Sequence, residues 1–326
     1  MALARAILPR VSFLLAVGAL AGAVVFFLKQ PVFPRRAASP VAVDPARLRL
    51  HVEKLAGLAP RNLTRPENLE AAAAYIRKEW ESTGLTVVDQ PYRVGKHDVR
   101  NLIVRFGGEA KDPLVVGAHY DACGPFPGAD DNASGAAGLI ELGRALATNP
   151  PKGPVELVAY TLEEPPHFFS PEMGSVVHAA SLKKRGIAPR GMIGLEMIGD
   201  FSDAKGSQHF PIAPLALLFP TRGNFVAVVG RPQDVRLLRR VKAAMAGATD
   251  LPVQSLVGAP RLTDIDLSDH SSYWREGMTA VMVSDTAFYR NERYHTADDT
   301  PERLDYVRMA KVVSGLVEAV RDLARR

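Results

Sequence analysis

Five apolar residues in a row, Leu114 to Ala118, run into His119, Tyr120 and Asp121 and then into a loop rich in glycine and proline. A short, continuous apolar run bounded by such turn residues is the pattern of a strand buried on both faces. Strands of that kind belong to parallel sheets covered by helices on both sides. Ligands bind such sheets beyond the carboxyl ends of the strands, and that is where His119 and Asp121 are delivered. The loop ends in Asp130, Asp131, Asn132, Ser134 and Gly135, which open an apolar-periodic helix, so a second acidic pair stands at a helix start. A histidine two residues from an aspartate lets the carboxylate fix the imidazole for ligation, and the whole stretch is expected to be a metal site.

The rest of the chain repeats the alternation. Helical patterns run from Pro45 and from Pro66 to Gly84, and β-rich runs follow at Leu85 to Val94 and Val99 to Phe106. Further strands are expected at Pro154 to Thr161, around Glu196, at Phe225 to Val229 and at Thr279 to Ser284. Helices are expected at Glu172 to Arg185, Pro232 to Ala246 and Pro301 to Arg325. The expected fold class is α/β, a three-layer α/β/α sandwich on a mainly parallel mixed sheet. Two stretches stay irregular, from Gly199 to Phe225 and from Ala246 to Leu267. The first is apolar and broken by proline; a pocket-forming loop and a packed surface loop are equally open for it.

Residues 11–28, VSFLLAVGALAGAVVFFL, are uncharged over a length near that needed to span a bilayer, with basic residues on both sides. Ala19-Leu20-Ala21 has the small-residue pattern of a signal-peptide cleavage site, but cutting there leaves VVFFL near the new terminus. An uncleaved signal-anchor is preferred, with secretion after cleavage as the rival. The expected organisation is a basic segment 1–10, an anchor 11–28, a Pro- and Ala-rich linker 29–44 and a catalytic domain 45–326 held outside the cytoplasm. A formal charge of +5 comes from scattered basic residues without a nucleic-acid motif, so no nucleic-acid partner is expected. The single cysteine, Cys123, excludes an internal disulfide and a CxxC metal site, leaving carboxylates and imidazoles as ligands.

Chemistry-bearing residues gather at four strand ends or turns: His119 with Asp131, Glu163-Glu164, Glu196 and His295. Neighbouring glutamates at a strand end that breaks into a loop are able to divide two roles, one ligating metal and one free as a base. Glu196 lies inside the apolar strand GMIGLEMIG, where a carboxylate without a partner is costly, so it calls for a cation or a proton.

In the order GAHYD, PGADDNASG, TLEEPP, LEMIGD and RNERYHTADDT, these segments resemble the co-catalytic zinc aminopeptidases of the bacterial aminopeptidase S and leucyl aminopeptidase type. Relatives of that family are glutamate carboxypeptidase, glutaminyl cyclase and the transferrin-receptor ectodomain. The resemblance covers most of residues 45–325. It implies a zinc-peptidase (phosphorylase/hydrolase-like) fold and two zinc ions per chain, with His119 and Glu196 on one, Glu164 and His295 on the other and Asp131 bridging both. It further implies Glu163 as general base, Asp121 as the partner behind His119 and Tyr294 as oxyanion stabiliser. Glu196 departs from the aspartate common at its position. Asp269-His270 resembles a family pair whose histidine is no ligand, whereas His167, His178 and His209 match no motif and are taken as structural or exposed.

The expected activity is removal of N-terminal residues from peptides. One alternative is a glutaminyl-cyclase-like acyltransferase, whose relatives keep one working zinc and alter the acidic motifs that are intact here. The other is a non-catalytic receptor-like ectodomain, which loss of ligands would mark. Manganese and cobalt suit the same donor set.

Overall fold

The structure is a computed structural model describing residues 2–36 and 40–325, with the side chains of 2–15 and 261 outside the described set. The helices are α1 (Ala2–Lys29), α2 (Pro45–Ala56), α3 (Pro66–Glu81), α4 (Gly135–Thr148), α5 (Gly174–Lys184), α6 (Val235–Ala248), α7 (Pro260–Thr263), α8 (His270–Arg275) and α9 (Tyr306–Leu323). The strands are β1 (Val87–Val94), β2 (His97–Phe106), β3 (Leu114–His119), β4 (Val155–Tyr160), β5 (Gly191–Glu196), β6 (Val226–Gly230), β7 (Val253–Val257) and β8 (Ala280–Ser284).

All eight strands form one sheet in the order β1-β2-β4-β3-β5-β8-β6-β7. The central four, β4-β3-β5-β8, are mutually parallel. The hairpin β1-β2 joins β4 antiparallel at one side, and the parallel pair β6-β7 joins β8 antiparallel at the other. Side chains of the central strands alternate between two cores, as a period of two demands. Val116 and Leu114 of β3, Leu157 of β4, Ile193 of β5 and Val283 of β8 pack with the helices α2, α3, α4, α6 and α9. Val115, Val158, Met192 and Met282 face the other way, toward Leu182 of α5 and Tyr273 of α8. The result is the expected three-layer α/β/α sandwich.

Three elements depart from the sequence expectation. The second irregular stretch contains β7, short and interrupted by Gln254 and Ser255, so apolar alternation does not reveal it. Pro301–Arg303 form a single 3-10 turn, and the final helix starts only at Tyr306, where the Asp305 side chain accepts the Arg308 N–H. The chain after α1, expected as linker, is docked at its beginning: Gln30 is buried, and the Arg35 N–H donates to Ala243 O at 2.8 Å. Residues 37–39 of that segment lie outside the described residues. Among the described residues no helix is long and apolar enough to cross a membrane. The side chains of residues 11–15, the first part of the expected anchor, fall outside that set.

Candidate metal centre

Parallel strands β3, β4 and β5 end side by side, and the sequence puts a histidine or a glutamate at or just past each end. His119 closes β3, Glu163 and Glu164 follow β4 in a turn, and Glu196 closes β5. Asp131 comes from the turn before α4 and His295 from the loop after β8. All but His295, whose side chain is 26% exposed, are buried.

His119 Nε2 lies 3.3 Å from Glu196 Oε2, 3.6 Å from Asp131 Oδ1 and 3.8 Å from Glu163 Oε2. On the other side His295 Nε2 lies 3.0 Å from Asp131 Oδ2 and 3.2 Å from Glu164 Oε2. Asp131 therefore stands between two groups, His119 with Glu196 and Glu163, and His295 with Glu164. Despite these short distances Nε2 of His119, Nε2 of His295, Oδ2 of Asp131 and Oε1 of Glu164 have no hydrogen-bond partner. Buried polar atoms are normally paired, so a cluster of orphaned lone-pair donors of the N/O type fits divalent cations.

The electrostatics carry the same sign. Burial raises Glu163 well above the ordinary carboxylate range, opposed by His119 and reinforced by Glu196, and it raises Glu164 to about 8. Burial would lower His295, but its contacts with Asp131 and Glu164 raise it to about 10. Burial would likewise raise Asp131, yet His295 and His119 hold it below the usual range. Protons are thus bound tightly at Glu163, Glu164 and His295, while Asp131 keeps its charge between the two imidazoles.

The surrounding shell aims these groups. Asp121 Oδ1 lies 3.4 Å from His119 Nδ1, and its two oxygens accept the N–H groups of Glu163 and Glu164 at 3.1 and 3.0 Å. Asp299 accepts the N–H of Asp130 and of Asp131, and Ser268 Oγ donates to Glu196 Oε2 at 2.6 Å. Asp130, beside the bridging position, faces away and accepts from Gly199 N and Asn291 Nδ2. Gly128 has φ +55°, and a Cβ there would sit 2.2 Å from Asp131 O, so the turn that presents Asp131 requires glycine. Arg61 is wholly buried beneath the cage and donates to the carbonyls of Leu55, Tyr120, Pro127 and Gly128. Burial lowers it to about 10, against Asp121 and Asp299, so it remains a cation under the acidic cluster.

Tyr294 stacks on the His295 ring with centroids 3.7 Å apart, a contact that orients the imidazole. Cys123 Sγ lies within 4.8 Å of ligand atoms of Glu164 and His295, and burial, with Glu164 and Asp131, pushes its thiol up to about 12, away from the thiolate. His270 Nε2 donates to Ile265 O at 2.6 Å, and burial lowers the ring to about 4, which makes it a neutral core residue. His178 is also internal, bonded to Tyr273, while His167 pairs with Glu172. Sequence reasoning missed Arg61, Ser268 and the partnership of Asp299. Only Asp299 carried a signal, in the YHTADDT segment.

A cavity of about 100 Å³ opens from Glu196. Its walls include Phe210, Leu215, Phe219, Phe225 and Phe288, so the irregular stretch after Gly199 is a pocket wall. Exposed His209 lines it too.

Residues 101–320 match the model of peptidase family M28. The chain belongs to that family. It is 44% identical over 266 residues to the uncharacterized protein YfbL of Escherichia coli (strain K12), covering 79% of this chain and 81% of the relative. A probable leucine aminopeptidase of Trichophyton verrucosum is 26% identical, covering 81% of this chain and 73% of the relative. Among solved structures, the LapA aminopeptidase of Legionella pneumophila superposes with a TM-score of 0.69 at 19% identity, over 87% of this chain and 72% of that one. A Bacteroides thetaiotaomicron glutaminyl cyclase superposes with a TM-score of 0.65 at 18% identity, over 87% and 99%. At those identities the superpositions bear on the fold alone. Family membership makes this M28 chain a metallopeptidase acting on peptides, with zinc the metal its relatives suggest.

Proposed function

We propose that this chain is an aminopeptidase that uses two divalent cations, with Glu163 as general base. The observation that carries the reading is the pair of donor groups sharing Asp131, with His119 Nε2, His295 Nε2, Asp131 Oδ2 and Glu164 Oε1 orphaned there and an apolar cavity opening from Glu196. His119 and Glu196 would hold one ion, Glu164 and His295 the other, and Asp131 both. Cations held there supply Lewis acidity to the scissile carbonyl and to the attacking water.

The chain's own residues do the rest. Glu163 takes the proton of the attacking water and delivers it to the leaving amine, a task suited to a buried carboxyl with raised proton affinity. Asp121 holds the His119 ring and the two glutamates in register. Tyr294, stacked on the His295 ring, would stabilise the charge that develops on the carbonyl oxygen. The aromatic cavity accepts one apolar side chain of the N-terminal residue. Intact acidic groups on both sides of Asp131 favour hydrolysis over a cyclase built on one ion.

Residues 11–28 are proposed as a membrane anchor with the catalytic part outside the cytoplasm. The apolar run supports that reading, as do the exposed Val17, Leu20, Val24, Phe26 and Phe27 along α1.

Metal analysis of zinc-reconstituted protein, combined with a panel of amino-acid amides and N-terminal glutaminyl peptides, tests the proposal. Two ions per chain and release of a free apolar amino acid are expected. A folded, zinc-loaded protein that only cyclises glutaminyl peptides, or that acts on neither class, overturns it.

A further inference from the structure

The wall of the apolar cavity is held from outside by the end of the N-terminal helix. Residues 211–219 make hydrogen bonds among themselves, from Leu215 N to Ile212 O and from Leu218 N and Phe219 N to Leu215 O. Among the described residues, one hydrogen bond ties this stretch to another part of the chain: Lys29 Nζ donates to Leu218 O at 2.7 Å. The same ammonium lies 5.2 Å from the centroid of the Phe219 ring, within cation–π range. Phe219 and Leu215 are buried and line the cavity.

Lys29 is itself fixed from behind. Its carbonyl accepts Lys242 Nζ and Ser255 Oγ, each at 2.7 Å, and Ser255 also lines the cavity. Gln30 follows, 3% exposed, its carbonyl receiving Lys242 Nζ at 3.2 Å and its side-chain oxygen Arg239 Nη1 at 3.1 Å. The buried Lys242 ammonium thus caps the carbonyl end of α1, where positive charge is favoured. Beyond it Arg35 lies so close to α6 that a Cβ at Gly247 would sit 1.9 Å from Arg35 O. The clamp has a rigid base on α6 and β7 and one arm on an otherwise self-bonded wall.

We infer that Lys29 is a positioning residue for substrate selection: it holds the Leu215–Phe219 wall against the cavity and so sets the preference for a large apolar N-terminal residue. This rests on the aminopeptidase reading of the same cavity. Without the clamp the wall loses its fixed position, and a leucine side chain loses contact that an alanine side chain never made.

The test uses full-length protein in detergent, zinc-loaded, as wild type, Lys29→Ala and Lys29→Arg. Calorimetry measures the affinities of leucine hydroxamate and alanine hydroxamate, and leucine and alanine p-nitroanilides give KM and kcat. Wild type is expected to prefer the leucine probe by about 10-fold or more, the scale set by a few methylenes in an apolar pocket. Lys29→Ala should shrink that preference by about 3- to 10-fold, raising KM for the leucine substrate while kcat and the alanine probe's affinity stay level. Lys29→Arg, which keeps a cation within reach, should restore most of it. An unchanged preference in Lys29→Ala, equal weakening of both probes, or no preference in wild type overturns the inference. If wild type discriminates between the hydroxamates but cleaves neither anilide, the peptidase reading fails while the clamp stands or falls on the binding data.

Discussion

Asp121 accepts the backbone N–H of Glu164 at 3.0 Å. Its other oxygen accepts the Glu163 N–H and lies 3.4 Å from His119 Nδ1. One carboxylate beyond β3 therefore sets both the imidazole on its own strand and the turn carrying two glutamates on the next. The parallel pairing of β3 with β4, which brings His119 opposite Tyr160, makes this possible. Aligned strand ends let two short segments distant in sequence share one polar anchor.

Replacing Asp121 with Asn should therefore loosen the metal site without removing a ligand. The new amide keeps one acceptor but turns an NH2 toward a backbone N–H or the imidazole. Zinc affinity, measured by chelator competition, should fall about 10- to 100-fold, the usual cost of losing a partner behind a ligating histidine. Affinity within twofold of wild type would contradict this role.

Metal binding should depend steeply on pH. Glu164, raised to about 8 by burial, and His295, raised to about 10 by its carboxylate neighbours, both hold protons at neutral pH that a cation must displace. Competition titrations at pH 6, 7 and 8 should show zinc affinity climbing by at least about 10-fold per pH unit. The metal-free protein should show the opposite trend in stability. For a group raised on folding, the stabilisation is complete below its unfolded pKa and is lost as pH rises through the folded one. For Glu164 that window runs from 4.5 to about 8, and for His295 from 6.5 to about 10. Asp131, held low, loses its contribution only below the usual carboxylate range and so leaves this window untouched. The Tm of metal-free protein should fall from pH 5 to pH 8; a rising Tm would refute the assignment.

Arg61 should prove essential to folding, not chemistry. Its guanidinium satisfies four carbonyls from three segments and lies under Asp121, Asp299 and Asp131. Arg61→Leu strands those acceptors and leaves the acidic cluster without its buried counter-charge, a loss of about 3–5 kcal/mol. Arg61→Lys should recover little, because an ammonium cannot span the fork of four carbonyls. Urea midpoints of the zinc-loaded variants measure both, and a Leu variant as stable as wild type would sink the argument.

The gathering of His119, Asp131, Glu163, Glu164, Glu196 and His295 was legible in the sequence because most of them sit at strand ends, where short apolar runs break into acidic or histidine-bearing turns. Glu196 stood out as a carboxylate within an apolar strand, and the structure gives it Ser268 and His119 as neighbours. Arg61 was invisible because its partners are backbone carbonyls, which no residue type announces. β7 was hidden by Gln254 and Ser255; the Ser255 hydroxyl accepts from Lys242 of α6 and donates to the Lys29 carbonyl at the end of α1. Lys29 looked like the flank of an apolar helix; its attachment to Leu218 is a contact across 189 positions that only the fold creates.

Glu163 and Glu164 offer the sharpest separation of chemistry from metal holding. Glu164 Oε2 lies 3.2 Å from His295 Nε2, whereas Glu163 Oε2 lies 3.8 Å from His119 Nε2. Glu163→Gln preserves shape and every proposed ligand while removing the proton acceptor. Its zinc content should match wild type and its turnover should fall at least ~100-fold, the lower range for a positioned base. Glu164→Gln should instead lose one of two ions in dialysis and regain part of its activity when zinc is added in excess. Added zinc should not rescue Glu163→Gln. Normal turnover in Glu163→Gln removes it as the base, and metal loss in that variant with retention in Glu164→Gln would exchange the two roles.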